Sequence, residues 1–213
     1  MPSANVVRLY GAAWSVYVRI ARLALEEKGI PYTLVEVDVF DSAGVPHEHL
    51  KRHPFGRIPA FQHGDFCLYE TSAIVRYIDD AFDGSKLQPT DAKARARVNQ
   101  IAGVMDAYAY RTLVWDIYVE RVVAVKEGRP TDEEKIAIAL PLASTCLAEL
   151  DRLCDGNGYM VADQVSIADL YAAPMFACFT QAAEAGLLMD RCRKLKNWWR
   201  RFSVRESMVR TQS

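Results

Sequence analysis

The period of hydrophobic positions changes once along this chain. Up to about residue 82, short alternating runs are interleaved with helical stripes, and beyond residue 90 the periodic segments are helical. A β-rich run at 6–10 leads into the small-residue turn Gly11-Ala12-Ala13. A helix is expected over about 15–28, with Val18, Ala21 and Leu25 on one stripe; Gly29 suits its C′ position and Pro31 blocks continuation. Residues 32–39 alternate into a second strand, and a strand–helix–strand unit predicts parallel pairing through a right-handed crossover. A loop and a short helix fill 44–52.

The segment His53-Pro54-Phe55-Gly56-Arg57-Ile58-Pro59-Ala60-Phe61 follows, running on through Gly64-Asp65 to Tyr69-Glu70-Thr71-Ser72-Ala73-Ile74. It reads as turn, strand, tight turn, strand and helix start. Pro59 cannot donate to a ladder, so its run is expected at a sheet edge or facing a ligand. Gly64-Asp65 is a hairpin turn before the partner strand 66–69. Ile74, Tyr77, Ile78 and Ala81 then share a helical face. Ile58, preceding a proline, has backbone groups free to pair outside the sheet. Thr71 couples a hydroxyl to a helix N-terminus, a combination that favours a carboxylate.

Residues 83–89 form a polar linker, and a helical half follows. Thr90 is expected to cap a long helix to about Lys126, weakened at Gly103 and stopped by Gly128-Arg129-Pro130. Thr131-Asp132-Glu133-Glu134 has capping-box spacing, and Pro141 should kink the helix it starts. Ser166-Ile167-Ala168-Asp169 forms a second box. Asp190 precedes a final helix carrying Leu195, Trp198, Trp199 and Phe202.

With 213 residues, half of them hydrophobic, the chain can bury one large core or two small ones. Its formal charge of −1 argues against a general role on nucleic acid or a membrane surface, and the basic run 191–201 reads as a solvated helix face. Five scattered cysteines without a Cys-x-x-Cys fit neither a disulfide framework nor a zinc site, so a reducing cytoplasm is expected. The N-terminus runs almost directly into the first strand without a signal-like segment.

The block Pro54-Phe55-Gly56-Arg57-Ile58-Pro59-Ala60-Phe61, then Gly64-Asp65, then Glu70-Thr71-Ser72-Ala73-Ile74 resembles the cytosolic glutathione S-transferase family. The resemblance spans about 9–205 and is nearest to serine-type, phi-like and zeta-like members and their bacterial relatives. Ser166-x-x-Asp169 resembles the capping box of the family's helical domain, and Tyr159-Met160-Val161-Ala162-Asp163 its lead-in, with Ala162 where glycine is common. The implied fold is an α/β thioredoxin-like domain at 1–83, a linker at 84–90 and an all-α helical domain at 91–213. The implied activity is conjugation of glutathione, as co-substrate and without a metal, to a small hydrophobic electrophile by a homodimer. Arg76, Tyr77, Arg95 and Arg97 are candidates for the dimer face.

The resemblance assigns Ser15 as the catalytic hydroxyl. A donor at a helix N-terminus would stabilise the thiolate, although a serine there also reads simply as an N-cap. Tyr10 reads as core, and Tyr17 stands where cysteine-type relatives carry their thiol. Ile58 would pair its backbone with the cysteinyl unit, Pro59 would be cis, and Glu70 and Thr71 would hold the γ-glutamyl end. The phi-like His-Lys pair for the glycyl carboxylate has no counterpart at Gly44-Val45. Lys51, His47, His49 and His53 are nearby substitutes and Arg57 replaces a usual glutamine, yet each reads equally as a solvated side chain. The electrophile would lie by Ala13 and Trp14 and along Tyr108, Arg111, Thr112 and Trp115, spaced for one α-helical face. A buried helix–helix stripe explains that spacing as well. Other glutathione chemistry on the same site (isomerase, peroxidase or dehalogenase) and a non-catalytic binding protein remain as alternatives.

Overall fold

In β1 (Val7–Tyr10), Val7 and Leu9 are buried while Arg8 is exposed, the alternation of a strand placed inside a sheet. The computed structural model describes residues 6–212; the expectations for the N-terminal segment and the outer domain limits fall on residues outside that span. β1 pairs in parallel with β2 (Thr33–Val35) and antiparallel with β3 (Ala60–His63), which pairs antiparallel with β4 (Phe66–Tyr69), in the order β2-β1-β3-β4. The β-α-β-α-β-β-α order is completed by α1 (Val16–Glu27), α2 (His47–Arg52) and α3 (Thr71–Ala81). This is a thioredoxin-like unit.

Three expectations change. The second strand stops at Val35, because Gly11, just past the end of β1, donates to the Val35 carbonyl at 3.0 Å and residues 36–39 have no ladder partner. Val37 and Val39 keep their alternation by packing on Tyr10, Ala60 and Ile58 instead. The proline run is not at an edge: β3 lies between β1 and β4, and Pro59 precedes the ladder. In α3 the buried stripe is Thr71, Ile74, Val75 and Ile78, with Ala81 exposed.

α1 and α3 pack together, and the buried pair Lys28–Asp79 (3.6 Å) links their ends. Asp79 also accepts from the Leu87 backbone at 2.7 Å, which ties down the end of this unit. The chain divides between Leu87 and Gln88, and residues from Glu206 pack with the first unit rather than with the helical one expected at 91–213. The physical reason lies on α1. Arg19 donates to the Met208 carbonyl (3.0 Å) and to Thr211 Oγ1 (3.3 Å), and Arg22 to the Arg210 carbonyl (3.4 Å), placing cations at the C-terminus of α10 (Glu206–Arg210).

The helical unit holds one continuous helical path: α4 (Ala92–Val104), a π-helical segment (Met105–Val123) and α5 (Ala124–Lys126). Asp91, not Thr90, caps it, accepting from Ala94 N at 2.8 Å. The path runs through Gly103, and its hydrogen-bond period widens just beyond. Asp132, not Thr131, caps α6 (Glu133–Leu153), because Thr131 is drawn to the Glu120 carbonyl at 3.2 Å. α7 (Ile167–Phe179) is the almost wholly buried centre. The buried Asp169 accepts there from Ser166 N (2.9 Å), Ser166 Oγ (2.8 Å), Met160 N (2.8 Å) and the Trp198 indole (2.8 Å). α8 (Glu184–Met189) and α9 (Arg193–Phe202) follow, with Cys192 at the N-cap of α9. No helix among the described residues is long and apolar enough to cross a membrane.

Candidate active site

Strand register gathers the candidate residues of the first unit. Ala60 lies opposite Tyr10 on one side and Tyr69 on the other. Gly11 leaving β1, Pro59 entering β3 and Glu70 leaving β4 therefore emerge at the same end of the sheet. Gly11 permits the closest approach there. At φ +153°, a Cβ on it would stand 2.5 Å from Val18 Cγ2 and 3.1 Å from Ile58 Cβ, so only a glycine lets α1 and the Ile58 segment meet.

Ser15 caps α1 in extended geometry, and its Oγ accepts from Val18 N at 3.4 Å. The cap uses an oxygen lone pair, so the hydroxyl proton stays available to an external acceptor. α3 begins at the same end of the sheet. Neither α1 nor α3 has an acidic residue in its first turn; Glu70 stands at the N-cap of α3, but its side chain makes no capping bond to that helix end. Such a place suits an anion.

The Ile58–Pro59 peptide is cis, with Pro59 buried and Ile58 packed on the Tyr10–Val37–Ala60 cluster. Glu70 takes φ 71°, a left-handed value costing about 1–3 kcal/mol for a residue with a side chain, while its own side chain is exposed. Thr71 next to it is buried. A strained residue beside a helix N-terminus is the kind of feature that marks a ligand clamp.

Two of the five candidate cations depart from the solvated reading. His49 and His53 are buried, whereas His47, Lys51 and Arg57 are exposed. Lys51 is held by Glu48 at 2.6 Å. The His53 ring lies 4.8 Å from that of Tyr69; burial pushes its pKa below the ordinary imidazole value, with the charge on Glu70 pulling the other way. Tyr10 is core, its hydroxyl bonded to Gln62 Oε1 at 2.7 Å and its ring covered by the Arg52 guanidinium. Trp14 is half exposed and stacks on Phe40 at 5.6 Å, and Ala13 is half-buried.

On the π-helical segment, Tyr108, Arg111, Thr112 and Trp115 do not share one face. Tyr108 and Arg111 are exposed, Trp115 is intermediate, and Thr112 is buried with its hydroxyl on the Tyr108 carbonyl at 2.9 Å. Arg111 is paired with Asp116 at 2.9 Å. The expected spacing assumed the α-helical period, which the i→i+5 bonding of this segment does not keep. A groove of about 890 Å³ lies elsewhere in this unit, between α8 and α9, and none of the four lines it.

Residues 9–86 match the family described as the glutathione S-transferase N-terminal domain, and residues 107–206 the glutathione S-transferase C-terminal domain. A probable glutathione S-transferase GSTF1 of Oryza sativa subsp. japonica is 31% identical over 95% of this chain and 93% of its own. The chain belongs to the glutathione S-transferase family. Among solved structures of this family, glutathione transferase F7 from Populus trichocarpa superposes with a TM-score of 0.84 at 26% identity, covering 97% of each chain. Glutathione S-transferase I from mais, in complex with an atrazine glutathione conjugate, does so with a TM-score of 0.83 at 26% identity, covering 97% of this chain and 96% of that one.

Within this glutathione S-transferase fold, sequence reasoning passed over Gly11 and Phe40. Gly11 stood in plain view beside Ala12 and Ala13, but only the packing of Val18 and Ile58 around it leaves no room for a side chain. For Phe40 the sequence carried no signal, since its stacking on Trp14 is made across the irregular segment after β2.

Proposed function

We propose that this chain is a glutathione transferase that binds glutathione at the Ser15, Ile58–Pro59 and Glu70–Thr71 end of its sheet and joins the tripeptide's sulfur to an electrophilic carbon. The thiol proton leaves to solvent, the sulfur forms the new bond, and the leaving group departs with its electron pair. Ser15 donates its hydroxyl hydrogen to the thiolate while the α1 terminus stabilises the same charge. Ile58 pairs its backbone with the cysteinyl unit, and Glu70 and Thr71 take the γ-glutamyl ammonium and carboxylate. Lys51 and Arg57, exposed and cationic, are the candidates for the glycyl carboxylate. Ala13 and Trp14 in the first unit, and Tyr108, Arg111 and Trp115 in the helical unit, are the candidates for electrophile contact. Thr112, buried and bonded to its own helix, supports that segment rather than a ligand.

The observation that carries this reading is the convergence at one end of the sheet of the Ser15-capped N-terminus of α1, the Glu70–Thr71 start of α3 and the Ile58 segment. Calorimetric titration with glutathione, followed by a panel of aryl and alkyl halides, tests it. Saturable one-site binding and enzyme-dependent conjugate are expected, and binding without any conjugate would point to another glutathione chemistry. We further place the protein in a reducing cytoplasm, where all five cysteines stay free, as a homodimer serving detoxification.

A further inference from the structure

Behind the Ile58 segment sits a buried histidine with an unexplained single attachment. His49, on α2, is 1% exposed. Its Nε2 lies 2.7 Å from the Arg57 carbonyl oxygen. A carbonyl only accepts, so Nε2 must carry the hydrogen. The other ring nitrogen, Nδ1, is buried without a hydrogen-bond partner. The ring therefore has one polar anchor, the carbonyl immediately before Ile58.

That carbonyl belongs to the same planar unit as the Ile58 N–H. A peptide is rigid about its C–N bond, so pinning the Arg57 oxygen sets the direction in which the Ile58 N–H points. The backbone around it is also closed: His53 N donates to the His49 carbonyl (2.8 Å), and Gly56 N to the His53 carbonyl (2.9 Å). The imidazole bond to Arg57 completes this loop from the side. Buried and already donating, His49 has no free hydrogen for a ligand carboxylate.

We propose that His49 is a positioning residue for glutathione, holding the Arg57–Ile58 peptide in the orientation that the cysteinyl unit meets. The proposal rests on the glutathione reading above. Its test compares His49→Phe, which keeps an aromatic ring and removes the donor, with His49→Gln, whose amide N–H can reach the same carbonyl. Binding of glutathione and of γ-glutamylcysteine is measured by calorimetry, with thermal melts to verify folding and steady-state rates at saturating electrophile.

His49→Phe should weaken both ligands about tenfold, the effect of one lost buried hydrogen bond. KM for glutathione should rise in parallel while kcat stays within about twofold, and His49→Gln should recover most of the affinity. If His49→Phe does not fold, His49→Asn, whose shorter amide cannot reach Arg57, carries the same expectation. Wild-type affinity in a folded donorless variant would overturn the proposal. So would a loss that His49→Gln does not rescue, or one seen with glutathione but not with γ-glutamylcysteine, which would mean direct contact with the glycyl end. A wild-type protein that binds neither peptide would refute the glutathione reading itself.

Discussion

Under the proposed function, Ser15 serves two purposes without conflict. Its oxygen lone pair caps α1 through Val18 N, and its hydrogen is left over for a sulfur anion. Ser15→Ala separates the two. Loss of the cap costs about 0.5–2 kcal/mol of stability. Loss of the donor should raise the pKa of bound glutathione and slow turnover near neutral pH by about a hundredfold, with the tripeptide still bound. The deficit should shrink as pH rises, because solvent then deprotonates the thiol unaided; a pH–rate profile with a generic aryl electrophile, beside the thiolate absorbance of the binary complex, reads this directly. An unchanged profile would leave Ser15 only a cap. Thr71, buried at the start of α3, invites the complementary change. Thr71→Val keeps the β-branched shape and deletes the hydroxyl, so glutathione affinity should fall roughly tenfold to a hundredfold, the worth of a hydrogen bond to a charged group. Calorimetry showing full affinity would end that role.

At the scale of elements, capping chemistry was legible to within a residue, and the π-helical period was not. Ser166-x-x-Asp169 forms as its spacing requires, yet Asp169 also collects the Met160 backbone and the Trp198 indole, partners far along the chain. Burial raises its pKa to about 6, its hydrogen bonds pulling the other way. A carboxyl whose folded pKa lies above its unfolded one contributes stability that is full below the unfolded pKa, near the usual carboxylate value of about 3.9, and is lost as pH rises through the folded value. Asp169→Asn has no titration at this site. The advantage of the wild type over Asp169→Asn in Tm should therefore be largest near pH 4 and shrink toward neutrality. An advantage that grows with pH would mean that the four donors outweigh burial and that the carboxylate is held ionised. The π-helical segment had no such local signature. Nothing in Tyr108, Arg111, Thr112 and Trp115 distinguishes an α- from a π-helical path, because side-chain composition does not fix which carbonyl an N–H selects.

At the scale of the whole molecule, the proposed homodimer needs a surface. The first unit offers Phe66, half exposed on the edge strand β4 with its ring 5.0 Å from Tyr77. Arg76, beside Tyr77, bonds the Ser72 carbonyl of its own helix at 2.7 Å. Light scattering at micromolar concentration should give about twice the mass of the chain, and Phe66→Asp should lower it toward one copy; a monomeric wild type would refute the assignment. By itself the sequence determined the strand–helix alternation, the Gly64-Asp65 hairpin and the helix caps at Ser15 and Ser166. Each of these is set by neighbours within a few positions, through backbone preference, turn chemistry and hydrophobic period. Tertiary structure alone decided that β3 is interior, that residues from Glu206 return to α1, and that Gly11 must be bare. It also turned His49 inward onto the Arg57 carbonyl. Those outcomes depend on which distant surfaces meet, and a local pattern holds no record of the partner that will complete its hydrogen bonds or fill the space beside it.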